Sequence, residues 1–292
     1  MSDYTVEIEH LTFQYRGAAE PALRDINLTL RRGEIALLIG PTGAGKSTLY
    51  QCLNGLIPNL IAGQMSGRVV VAGMDTAEHS IPELAQKVGL VFQDPEVQIF
   101  SLTVEDELAF GPENLGLPKD EILRRVDHAA TTIQLQDLMA REPARLSGGQ
   151  QQTVAIGSVW SMLPEVVILD EPTSNLDPEG SERVLALIQQ LKREHGKTIL
   201  IAEHKIDEVA QLADHVFVMQ QGRVVLDGSP REVFGQPERL HAVGLVAPVA
   251  TELLYRLEAS GWSLDGPLPL TVAEGLAMLK RLRASSGSGT RS

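Results

Sequence analysis

Ile35-Ala-Leu-Leu-Ile-Gly40-Pro41-Thr42-Gly43-Ala44-Gly45-Lys46-Ser47-Thr48 runs from a short apolar, β-type segment through a glycine-rich turn into a helical stretch, Lys46 to Gly55. The turn fits G-x-x-x-x-G-K-[ST], and the strand before it and the helix after it are the context that pattern requires. The demand is on the backbone. Glycines remove the Cβ atoms that would hold phosphate oxygens away, so successive N–H groups can turn inward, and the helix N-terminus adds the positive end of its dipole. Lys46 is expected to reach the β- and γ-phosphates and the Ser47 hydroxyl to ligate Mg²⁺. Gly40 to Thr48 is therefore the candidate nucleotide-binding set. A glycine-rich turn with an incidental Lys-Ser would not explain the flanking strand and helix together. Strand, loop and helix in this order open an α/β nucleotide-binding unit.

Further apolar β-type runs follow at Val69–Ala72, Val88–Phe92, Val166–Leu169, Thr198–Ala202 and Val216–Met219. Helical patterns lie between several of them; in Ser181–Glu194, Val184, Leu185, Ile188 and Leu191 share one face. Upstream, YTVEIEHLTFQY and LRDINLTL, between Tyr4 and Leu30, alternate as antiparallel strands split by the polar turn Arg16–Pro21. Between about 94 and 165, Ile122, Leu123, Val126, Ala129, Ala130 and Ile133 recur at helical spacing without a strand-like run, which predicts a helical subdomain inserted into the α/β core. Residues 1–235 read as one domain. Residues 236–284 read as a helical extension with helices near Thr251–Ser260 and Thr271–Arg283, the second opened by a Thr-Val-Ala-Glu capping box. The polar end SSGSGTRS, 285–292, is expected to be disordered.

The strand at Val166–Leu169 ends in Asp170-Glu171. An aspartate at such a strand tip, beside a phosphate-binding loop, can hold the Mg²⁺ water shell. The adjacent glutamate can orient or deprotonate a water. Alone, an acidic pair after a strand is more often a loop cap. Leu146-Ser147-Gly148-Gly149-Gln150 starts a further helical run, Gln151–Met162. Read simply, Ser147 is a helix N-cap. Read functionally, it is a second anion-binding helix start in a chain with one phosphate-binding loop. It then serves the nucleotide of another subunit, so that two subunits head to tail bury two ATP molecules.

Composition narrows the classes. The 292 residues carry 25 Lys+Arg against 38 Asp+Glu, a net charge of −13, with 43% hydrophobic residues. This excludes wholesale disorder, and the acidic balance argues against a nucleic-acid-coating protein, because phosphate neutralisation needs clustered Lys and Arg. One cysteine, Cys52, excludes an internal disulfide and a Cys-rich zinc module, and fits a reducing compartment. It reads as a buried small apolar residue, and Trp160 and Trp262 as packing residues. Runs such as Ile35–Ile39 and Val166–Leu169 fall far short of the roughly 20 residues of a spanning helix. MSDYTVEIEH has neither the basic nor the apolar region of a secretory signal.

Together Gly40–Ser47, Leu146–Gln150 and ILDEPTSNLD (Ile168–Asp177) resemble the ATPase subunit of ABC transporters, over roughly residues 4–235. The resemblance implies a P-loop NTPase cassette: a mixed-sheet α/β core with an antiparallel β subdomain and a helical subdomain. It implies ATP as substrate with Mg²⁺, and roles for further residues. Tyr15 falls at the aromatic that stacks on adenine. Gln93 falls at the glutamine that joins the metal site to the membrane partner. Glu171 falls at the catalytic base, with Asp170 and Ser47 on the metal. Ser174–Asp177 falls at the loop between the two sites of a dimer, and His204 at the γ-phosphate sensor. Ser147, Gly148, Gly149 and Gln150 would complete the site of a second ATPase subunit, copy or paralogue. Thr153 departs from the pattern, which usually has an arginine there, and puts some intradomain ion pairing in doubt.

VFQDPEVQIF (Val91 to Phe100), TVEDELAFGPENLG (Thr103 to Gly116) and the short helical extension resemble the energy-coupling factor (ECF) type, which includes cobalt, nickel and vitamin importers. This implies a transmembrane scaffold subunit whose coupling helices dock near residues 93–117, a membrane substrate-binding subunit reached indirectly, and a place at the cytoplasmic face of the membrane. Another ABC transporter class is the alternative. A mechanical ABC ATPase acting on DNA or ribosomes is disfavoured, because Ser47 and Ser147 are 100 residues apart with no long coiled coil between them, and one cassette is present. Residues 94–121 hold eight acids against Lys119 alone. They are expected to form an acidic groove, including Glu105, Asp106 and Glu107, that receives arginines from the membrane partner.

Overall fold

The computed structural model describes residues 3–264 and 266–287. Strands β1 (Tyr4–Tyr15), β2 (Leu23–Arg31), β4 (Gly63–Val71) and β5 (Met74–Asp75) form an antiparallel sheet in the order β2-β1-β4-β5. A six-stranded sheet has the order β10-β9-β3-β8-β7-β6. In it β3 (Ile35–Ile39), β6 (Val88–Val91), β7 (Val166–Asp170), β8 (Thr198–Ala202) and β9 (His215–Gln220) are parallel, and β10 (Arg223–Gly228) closes one edge antiparallel to β9. The longer helices are α1 (Lys46–Leu53), α2 (Val104–Asn114), α3 (Lys119–Thr132), α4 (Gly148–Trp160), α5 (Pro178–His195), α6 (Val249–Ala259) and α7 (Val272–Gly287).

The continuous apolar strands follow from burial on both faces. In β3, Ile35, Leu37 and Ile39 enter a core shared with α2 to α5, whereas Ala36 and Leu38 enter one shared with α1 and the antiparallel sheet. Helix α5 shows why its sequence stops where it does. Asp177 caps it by accepting the Gly180 N–H at 2.6 Å, Pro178 takes the first turn, and Gly196 ends it at φ 60. Helices α2, α3 and α4 form the expected helical insert. Leu254 of α6 packs with Met278 and Leu282 of α7 in a small separate cluster.

Strand β4 starts at Gly63, ahead of the apolar run at Val69, because its first half pairs with β1 through backbone while its side chains stay mostly exposed. Edge strand β10 was outside the expected set for the same reason: only Leu226 is buried along it. The helix after the glycine-rich loop ends at Leu53, before a turn in which Gly55 has φ 77. Helix α7 continues through Gly287, past the boundary expected at 284; the remainder of the expected disordered tail, 288–292, lies outside the described residues. Among the described residues no helix is long and apolar enough to cross a membrane.

Candidate active site

Strands β3, β8 and β7 are neighbours, and Leu38 and Asp170 both sit level with Ala202. The chain therefore leaves all three strands at one edge, as Gly40, Glu203-His204 and Asp170-Glu171, which is where open parallel sheets bind ligands. The loop from Gly40 to Gly45 requires its glycines at two points. A Cβ on Gly40 would lie 2.4 Å from the Met219 carbonyl oxygen, and Gly45 has φ 105 with the Ala22 carbonyl 2.9 Å from where a Cβ would stand. Pro41, Thr42, Gly43 and Ala44 complete the turn, and the Ala44 N–H donates to the Pro41 carbonyl at 3.1 Å.

Lys46 is buried and donates to the Gly40 carbonyl at 2.7 Å. Burial lowers its pKa, while the charges of Glu171 and Asp170 act the other way. Ser47 is exposed beside it. Thr48 is buried, and its hydroxyl shares a 3.0 Å hydrogen bond with the phenol of Tyr15, which also donates to Gln51 Oε1 at 3.0 Å. Tyr15 is thus held by α1. It lines a cleft of about 370 Å³ with Arg16, Pro58 and Gln64.

Across the loop, burial and then the charge of Glu171 raise the pKa of Asp170. Glu171 adopts a left-handed φ of 46 and is fixed by its own N–H, which donates to the Ala202 carbonyl at 2.9 Å. Such a conformation in a residue other than glycine is costly and is retained where surroundings enforce it. Both oxygens of Glu171 are engaged: Gln93 Nε2 donates to Oε2 at 2.7 Å, and His204 Nε2 lies 3.0 Å from Oε1. The structure therefore joins Gln93, Glu171 and His204, from three separate parts of the chain.

Ser147 to Gln150 lie elsewhere. Ser147 caps α4 in a reciprocal box, its N–H donating to Gln150 Oε1 at 3.0 Å and its hydroxyl accepting the Gln150 N–H at 3.4 Å. Ser147 and Gln150 line a cleft with Thr153 and Arg183, and Gly148 lines another with Gln93 and Glu171; neither includes a residue of the phosphate-binding loop. Gly149 packs against Gly180 of α5. Thr153, where an arginine was expected, donates its hydroxyl to the Gly149 carbonyl at 2.8 Å.

Residues 23–174 match the ABC transporter family. The chain is also 46% identical to an ABC transporter ATP-binding protein of Pyrococcus horikoshii over 256 residues, 88% of this chain and 90% of that protein. This chain belongs to the ABC transporter ATP-binding family. A longer relative from Methanosarcina mazei is 47% identical over 86% of this chain, which spans 43% of that protein. Among solved structures, cbiO1 from Clostridium perfringens, part of the ABC transporter complex cbiONQ, is 39% identical with a TM-score of 0.74. The match covers 88% of this chain and 100% of that one. The dimeric, post-hydrolysis ATP-binding cassette MJ0796, bound to ADP and Pi, is 27% identical with a TM-score of 0.66 over 77% and 99% of the two chains.

This ABC ATPase hydrolyses ATP with Mg²⁺. Its own residues fit the ion. The residues that would hold it, the exposed Ser47 hydroxyl and the Asp170 carboxyl crowded by burial and Glu171, are oxygen donors of the kind Mg²⁺ takes.

Two buried acids, Glu203 and Glu107, differ from what the sequence alone suggests. Glu203 was passed over, yet it is 1% exposed and accepts the N–H of Thr173 at 3.1 Å and of His204 at 2.8 Å, so it binds the segment after Glu171 to the histidine beside it. Glu107 was assigned to an acidic docking groove. It is instead 2% exposed and accepts the N–H groups of Phe100 and Ser101 at 3.2 and 3.0 Å. Asp106 accepts from the Thr103 hydroxyl at 2.6 Å, and Glu121 pairs with Arg124 and Arg125. The groove there is lined by Ile99, Phe100, Leu102 and Pro143 together with Glu96 and Glu142.

Proposed function

We propose that this ATPase energises micronutrient uptake, of a vitamin or transition-metal ion, by an ECF-type ABC transporter, working at the cytoplasmic face of the membrane. The observation that carries this reading is the match to cbiO1 over the whole of that chain. The cassette is followed by α6 and α7, a short helical extension of the kind the ECF resemblance implies.

In the proposed cycle, Lys46 and the N–H groups of Gly43 to Thr48 hold the phosphates, and Tyr15 stacks on adenine. Ser47 and Asp170 hold Mg²⁺, which supplies charge neutralisation of the transferring phosphoryl group. Glu171 takes the proton of the attacking water, its carboxylate aimed by Gln93 and His204. His204 also senses the γ-phosphate, and Gln93 reports to the membrane subunit. A second ATPase subunit, copy or paralogue, contributes its Ser147 to Gln150 end. The transmembrane scaffold subunit sets its coupling helices against residues 93–117, where the exposed Val97, Phe100, Leu102 and Phe110 offer apolar contact and Glu96 and Glu142 offer partners for arginine. The substrate-binding subunit is reached through that scaffold.

The test is purification from membranes with partners retained, together with Glu171→Gln. The variant is expected to lose roughly 10²–10⁴-fold in turnover while still associating on ATP addition. Wild-type turnover would sink the role given to Glu171, and purification without a transmembrane scaffold subunit would sink the ECF assignment.

A further inference from the structure

Helix α6, in the C-terminal extension, is capped by a residue from the catalytic edge. Pro248, just before the helix, has no side-chain acceptor, and the first N–H of α6, that of Val249, donates to Asp207 Oδ1 at 2.7 Å, across 42 residues of sequence. A carboxylate there satisfies a free N–H and meets the positive end of the helix dipole. Asp207 lies on the short helix Ile206–Val209, one turn past His204, and the Ile206 N–H donates to the His204 carbonyl at 3.0 Å. Beside this contact, Ala247, Ile206 and Val209 are buried in one core, which also takes in Leu240 of the helix Pro237–Ala242. From that helix His241 Nε2 lies 2.9 Å from Glu252 Oε2 of α6, so α6 is fixed to the cassette at a second point.

A helix of four residues does not hold itself. The turn that carries His204 is therefore placed by its ties to other elements. Two run back toward the site: the His204 N–H donates to Glu203 Oε2 at 2.8 Å, and Lys205 Nζ donates to the Thr173 carbonyl at 2.8 Å. The tie from Asp207 runs outward, to α6. We propose that α6 braces the histidine segment for ATP hydrolysis, with Asp207 as the positioning residue: its carboxylate, held by the Val249 N–H, fixes the turn 204–207 and thereby the His204 ring, whose Nε2 lies 3.0 Å from Glu171 Oε1. The extension then acts on turnover from outside the site, and a shift of α6 reaches Glu171 through one turn of chain.

This rests on the roles given to Glu171 and His204, and His204→Ala tests that reading by itself, since wild-type turnover there sinks it. The experiment uses the full chain with its partner subunits and reads kcat, KM for ATP and the thermal midpoint. Val249→Pro removes the donor and little else: proline is favoured at the first position of a helix, Pro248 already has the ψ of 145 that a following proline requires, and Val249 is 59% exposed. It is expected to melt within about 4 °C of wild type, as the loss of one exposed hydrogen bond does. KM should stay within about twofold while kcat falls about threefold or more, as loosened catalytic groups do. Asp207→Ala should lose kcat alike, and Asp207→Asn, which keeps an oxygen to accept the Val249 N–H, should stay within about twofold of wild type. Val249→Pro should add no further loss to Asp207→Ala or to His204→Ala, because all three break one line of contacts. Full or raised kcat in Val249→Pro overturns the proposal, and so does a loss that multiplies with that of His204→Ala. If Val249→Pro folds poorly, Asp207→Ala against Asp207→Asn decides: equal turnover in the two overturns it.

Discussion

Glu203 offers the sharpest test of how the catalytic edge is held together. Its carboxylate sits just past β8 with both oxygens occupied. Oε1 accepts the Thr173 N–H at 3.1 Å and the Thr173 hydroxyl; Oε2 accepts the His204 N–H at 2.8 Å and, weakly, the Lys205 N–H at 3.5 Å. Glu203→Ala leaves the first three of these donors without an acceptor in a buried site. Each costs about 1–3 kcal/mol, and losing the carboxylate's own desolvation offsets part, so the expected loss is roughly 4 kcal/mol. At about 2–4 °C per kcal/mol for a chain of this size, Tm falls by roughly 8–16 °C. Glu203→Gln keeps an oxygen for one side and turns an NH₂ toward backbone N–H groups on the other, so roughly half the loss is expected. Turnover should fall in the same order, because Thr173 follows Glu171 closely and His204 Nε2 lies 3.0 Å from Glu171 Oε1. Thermal melts and ATP hydrolysis, the latter well below the lowest Tm, measure both. An alanine variant that melts within about 2 °C of wild type, or above the glutamine variant, would refute the reasoning.

The two other predictions concern the helical subdomain and the end of α5 that packs on it. Glu107→Ala strands the N–H groups of Phe100 and Ser101 and should cost about 2–3 kcal/mol, with new protease cleavage near residue 100; the exposed Glu105→Gln should stay within about 0.5 kcal/mol. Equal denaturation midpoints for the two variants would contradict the burial of Glu107. His195 packs on Trp160 and His128, with ring centroids 4.9 and 5.6 Å away, and burial followed by the charge of His128 lowers its pKa below the ordinary 6.5; Glu194 raises it and Lys197 lowers it slightly. A lowered folded pKa means that the unfolded chain takes the proton first. The stability His195 contributes is therefore present above about pH 6.5 and is lost as pH falls through the folded value. Urea midpoints at about pH 7.5 and 5.5 should differ more in wild type than in His195→Phe; an equal drop in both would refute the assignment.

What the sequence disclosed about the site follows the kind of constraint each residue carries. The phosphate-binding loop was legible because its backbone needs glycine at fixed places: Gly40 faces the Met219 carbonyl, and Gly45 holds φ 105. Asp170 and Glu171 were legible because an apolar strand ends on them. Tyr15, Gln93 and His204 were reached by resemblance alone, and of these Gln93 and His204 meet on Glu171 only once three distant segments are folded together. Glu203 had no signal to read, since accepting backbone N–H groups imposes no spacing on the sequence. The same holds for the fold: buried β3 and β8 announce themselves, whereas β10 and the first half of β4 owe their place to ladder pairing with little apolar pattern.

Runs of one residue type show why composition stops short of function. Glu105, Asp106 and Glu107 are chemically alike in sequence, but a helix turns about 100° per residue. The first is exposed, the second bonds to the Thr103 cap, and the third is buried under the Phe100–Ser101 turn. Gln150, Gln151 and Gln152 divide in the same way into a cap, a tie to Pro143 and a buried amide beside Glu171. In both runs the third residue is the one turned inward, and its surroundings differ from those of its two neighbours. A polar run at the start of a packed helix is therefore where a structure adds most to a sequence, because one position in it is forced inside and has to find, or be found by, a partner there.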